Sequence, residues 1–190
     1  MDLMERFVDP DFTVHRAMTR ISGELVRRLA DALVLPYDCR KYGRSLSKFL
    51  HETEEDFGSM LRNQDISIDA LRSAVYNYIA AAEGFQDRVQ AIDKKDPILV
   101  RSLNDQMVQV NTAFIDIQQP HHFNKHVLYS PSGCATNSSA AFPGIVRTMC
   151  GGPVNDDGWE EVKKEVAAIT STIQSAADVI SDVDSILGPS

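Results

Sequence analysis

The sequence predicts an all-α protein: an antiparallel four-helix bundle with one long irregular loop and a short extra helix before the last long helix. Three observations predict it. Apolar residues recur at spacings of three and four along most of the chain, the period of one helix face. Few runs alternate with period two, and none is followed by a hairpin turn. Only the stretch from about Gln118 to Gly144, rich in Pro, Ser, Gly and Asn, breaks the helical pattern.

The elements follow in order. Asp9-Pro10-Asp11 opens the first helix, with Asp11 as its cap and Val14, Met18, Ile21, Leu25, Leu29 and Ala32 along one stripe. It ends near Leu35-Pro36, because the residue before proline disfavours helix. Asp38 caps the second helix, whose apolar positions are Tyr42, Leu46, Phe49, Leu50, Phe57 and Leu61. After a break at residues 62–67, the third helix carries Ile68, Leu71, Val75, Tyr78, Ala82, Phe85, Val89 and Ile92. These alternate by three and four, the seam of a bundle helix. Ser67 is its candidate cap. Lys94 and Lys95 suit the negative end of its dipole. Asp96-Pro97 starts the fourth helix, with Leu99, Leu103, Met107, Val110 and Phe114 inward. Pro143 to Met149 reads as the short helix, closed by Gly151-Gly152-Pro153. Asn155 or Asp156 caps the last long helix, with Trp159, Val162, Val166, Ile169, Ile173, Ala176, Ile180, Val183 and Leu187 as its seam.

At 190 residues and 43% hydrophobic, the chain is long enough for one good core and is read as one domain, residues 1–190. Its net charge of −8 argues against a nucleic-acid footprint. No apolar run approaches the roughly 20 residues of a membrane span, so direct membrane contact is not expected. The N-terminus lacks a signal-peptide pattern. Three cysteines, Cys39, Cys134 and Cys150, make no disulfide framework but leave room for one pair.

Candidate chemistry is sparse. His121, His122 and His126 cluster, yet no Cys or carboxylate at a fixed offset completes a metal set. The segment Ser130–Ser139 contains no Gly-x-Ser-x-Gly turn, and Cys134 has no neighbouring base in sequence. Turn-making accounts for its Ser, Asn and Gly. Glu52 with Glu55, and Asp65 with Asp69, are paired at helical spacing as on solvated faces. Asn104, Asp105 and Gln106 sit between Leu103 and Met107. They form either an exposed face or side-chain amides bonding across a helix–helix contact. The loop exceeds the roughly 12–15 residues usual for connections without secondary structure. Phe123, Val127, Leu128, Tyr129 and Phe142 give it apolar anchors, so it reads as a packed excursion that presents something rather than a solvated linker.

Several segments recur together in one order. They are Phe7-Val8-Asp9-Pro10, Val34-Leu35-Pro36-Tyr37-Asp38-Cys39, Leu103-Asn104-Asp105-Gln106 before Ala113-Phe114-Ile115, Lys125-His126-Val127 leading into Tyr129-Ser130-Pro131, and Phe142-Pro143-Gly144-Ile145. With the last helix, they resemble the transferrin receptor-like dimerisation domain, the C-terminal helical domain of the transferrin receptor and glutamate carboxypeptidase II family. The Leu35-to-Cys39 segment places the resemblance nearer the carboxypeptidase-like members. The resemblance implies a four-helix bundle forming much of a two-fold homodimer interface. Residues 1–10 would link it to an upstream peptidase-like domain of the same parent chain. In peptidase members that upstream domain holds two zinc ions and the general base, so no cofactor and no catalytic residue is expected in this chain. The family's loop lines the substrate pocket. Aligned without gaps, Thr136 and Asn137 fall where glutamate-selecting members carry a Lys-Tyr pair. Short neutral groups there do not carry over that selectivity. Larger family members are often membrane-anchored, which implies a secretory or extracellular setting for such a domain.

Three functions follow as expectations. The first is a homodimerisation module, not an enzyme by itself, with Val75, Tyr78, Phe85, Val162, Val166, Ile169, Ile173 and Ile180 as the seams of core or dimer. The second is a piece of an active zinc-dependent exopeptidase to which it lends pocket residues. The third is a stand-alone helical adaptor.

Overall fold

Two compact units, Met1–Tyr37 and Asp38–Ser190, divide the chain. The computed structural model describes residues 4–115, 126–129, 141–153 and 155–181. Among them every extended element is helical, and the sole β feature is an isolated antiparallel bridge between Ile115 and His126.

In the first unit a single π-helical turn, Met4–Val8, precedes α1, Thr13–Asp31. Phe12 adopts a left-handed conformation, φ 52°. That turn brings Asp9 back over the helix start, where its carboxylate accepts from Val14 N (3.2 Å), His15 N (2.9 Å) and His15 Nδ1 (2.6 Å). Two of the orphan amides of the first turn, those of Val14 and His15, are thereby satisfied. Asp9, not the expected Asp11, is the cap, and these bonds, led by the His15 amide, hold its carboxyl below the usual range. Along α1, Glu24 accepts from both Arg27 and Arg28, which lowers its pKa to about 2. The stripe Val14, Met18, Ile21 and Leu25 forms as the spacing predicts, yet no residue of α1 is buried within its own unit. Helical periodicity identifies an apolar face but not what covers it.

The second unit holds α2 (Arg40–Asn63), α3 (Asp69–Ala91), α4 (Pro97–Ala113), α5 (Pro143–Met149) and α6 (Asp156–Ile180). Helices α3 and α6 pack on each other; α2 lies on α3, and α4 and α5 lie on α6. The central pair follows from seams spaced alternately by four and three: Leu71, Val75, Tyr78, Ala82 and Phe85 on α3, with Val162, Val166, Ile169, Ile173, Ala176 and Ile180 on α6, are all buried. Each large apolar side chain so buried contributes about 1.5–3 kcal/mol. Gly43 lets α2 approach closely, since a Cβ there would stand 3.2 Å from Ile79 Cγ1.

The helix ends bear out part of the sequence reading. Asp96 accepts from Ile98 N and Leu99 N, and Asn155 accepts from Gly158 N. Asp38 accepts from Arg40 N and Ser67 from Asp69 N, each one residue outside the formal cap position. Arg88 donates to the Ile180 carbonyl at 2.7 Å, closing α6. One inward assignment is corrected: Leu99 is half exposed and Val100 is buried instead.

Candidate functional site

Helix α4 closes at Phe114 and α5 opens after Phe142, and the described residues at both places are tied down by identifiable contacts. At the first end Phe114 is fully buried and lies 4.8 Å from the Tyr42 ring and 5.4 Å from the Tyr78 ring, centroid to centroid. Val127 N donates to the Phe114 carbonyl at 2.9 Å, which brings the chain back beside the end of α4. His126 then stacks on Phe114 and Tyr42, with Tyr129 4.8 Å away. Tyr42 in turn donates to Asn111 Oδ1 (2.9 Å), and Tyr78 to the carbonyl of Cys39 (3.2 Å). Three helices thus converge on one aromatic cluster.

The setting of His126 favours its neutral form. Its Nδ1 accepts from Leu128 N at 3.2 Å, so the proton sits on Nε2. Nε2 is buried with no hydrogen-bond partner among the described residues. Burial pushes the imidazole pKa below its ordinary value, because a charged ring would lose hydration among apolar faces.

At the second end Phe142 N donates to Thr53 Oγ1 (3.4 Å), a hydroxyl buried within α2, and the Phe142 ring meets Phe49 edge-on at 5.8 Å. Pro143 starts α5 with its φ already set for helix. Gly144 then lies under Glu165 of α6, and Arg147 reaches the same carboxylate at 3.3 Å. Glu165 is buried to 8% exposure. Nothing in the sequence marked it out, because an acid among Val162, Val166 and Ile169 reads as the polar edge of a seam. The Gly144-Ile145 step, small just where α5 meets α6, was the available clue.

The eight seam residues, Val75, Tyr78, Phe85, Val162, Val166, Ile169, Ile173 and Ile180, all lie in the interior of this one chain. Gln106, ambiguous in sequence, donates from Nε2 to the Val179 carbonyl at 2.8 Å, joining α4 to α6. Cys39 is a buried free thiol whose pKa burial pushes up to about 11, a setting for packing rather than reactivity. Cys150 is disulfide-bonded. Thr136, Asn137, His121, His122 and Cys134 lie outside the described residues. Among the described residues no group of three or more His, Cys, Asp or Glu side chains is placed to hold a metal ion. No described helix is long and apolar enough to cross a membrane.

Comparison with known proteins adds a family. Residues 66–181 match the transferrin receptor-like dimerisation domain. Over 184 residues the chain is 32% identical to mouse aminopeptidase NAALADL1, covering 93% of this chain and 24% of that protein. Over 183 residues it is 27% identical to the probable glutamate carboxypeptidase LAMP1 of Arabidopsis thaliana, 93% of this chain and 26% of the relative. Human transferrin receptor protein 2 is 22% identical over 175 residues, 88% of this chain and 22% of the receptor. The chain therefore spans about a quarter of the length of these relatives.

Proposed function

Because this chain belongs to the transferrin receptor-like dimerisation domain family, we propose that it is the homodimerisation module of a larger peptidase-family protein. The match of residues 66–181 to that domain carries the reading, since it takes in α3 to α6. The seams are consumed by the intrachain core, so the self-association surface is built from outward side chains of the same helices. A two-fold interface of this kind uses one patch on both copies and, for a stable dimer, buries about 1,600 Å² or more.

The module is not catalytic by itself. The parent is a zinc-dependent exopeptidase whose metal and general base lie in an upstream domain, a reading supported by the aminopeptidase and carboxypeptidase names of its relatives. The described residues offer no set that fits zinc. The segment between Phe114 and Phe142 reaches toward the substrate pocket, where Thr136 and Asn137 contribute short neutral groups. Two fixed ends, the Phe114–His126 cluster and the Phe142–Thr53 contact, support such a role. The disulfide at Cys150 supports an oxidising, secretory or extracellular compartment.

Sedimentation equilibrium between about 1 and 200 μM tests the module directly. The expected mass is twice 21.1 kDa, and a monomer at the highest concentration overturns the reading.

A further inference from the structure

We draw no further inference here: the strongest candidate, the groove between α3 and α6 lined by the small side chains of Ala70, Ser73, Ala74, Ala167, Thr170 and Ser171, is an unpartnered helix face, and nothing in the structure shows what covers it.

Discussion

The Glu165 carboxylate occupies the space a side chain on Gly144 would need: a Cβ there would come within 1.7 Å of Oε1. The absence of one atom on α5 lets α6 place a buried acid against the start of the short helix, with Arg147 drawn to it at 3.3 Å. Gly144→Ala forces Glu165 to turn away from that position. Overpacking of this kind costs about 1–3 kcal/mol, expected as a lower midpoint in urea unfolding. Shortening the acid in Gly144→Ala/Glu165→Ala should recover part of the loss, because residues in contact do not add independently. Strict additivity in the double variant would refute the contact.

Ile169→Asp tests whether the seams serve folding. Ile169 is 2% exposed within a single chain, and an unpaired buried carboxylate costs several kcal/mol. Helical signal and cooperative melting should both collapse at micromolar and at millimolar chain alike. Rescue by raising the concentration would instead place Ile169 at an interface between copies.

The Gln106 amide ties α4 to α6 through the Val179 carbonyl. Gln106→Ala is expected to cost about 0.5–1.5 kcal/mol, the net worth of one such bond. Amide exchange along α4 should quicken, and unchanged protection there would show the bond is immaterial.

Acid should loosen the packing of His126 beside the end of α4. The His126 pKa is depressed in the folded chain below 6.5, so on acidification the unfolded state takes up a proton first. Stability then rises with pH wherever the unfolded state holds more protons. It is fully present above about 6.5 and is lost as pH falls through the lowered folded value. A protonated Nδ1 also cannot accept from Leu128 N. Nuclear magnetic resonance titration of the Leu128 amide should show the bond lost in acid, and His126→Phe should flatten the corresponding stability profile. An unchanged profile in that variant would discard the mechanism.

What the sequence determined by itself was local and periodic. Spacings of three and four identified α3 and α6 and their buried faces. Asp96, Pro97 and Asn155 marked helix starts through side-chain chemistry acting within one turn. What only the tertiary structure decided was which faces meet. The α1 stripe has the same pattern as the α3 seam, yet nothing within its own unit covers the first while α6 closes over the second, because periodicity creates a face and long-range packing assigns its partner. Asp9 displaced Asp11 as a cap because Phe12 turns left-handed, and Glu165 became buried because Gly144 leaves it room. Those outcomes depend on atoms far apart in sequence, or on one backbone angle, and neither is written in residue spacing.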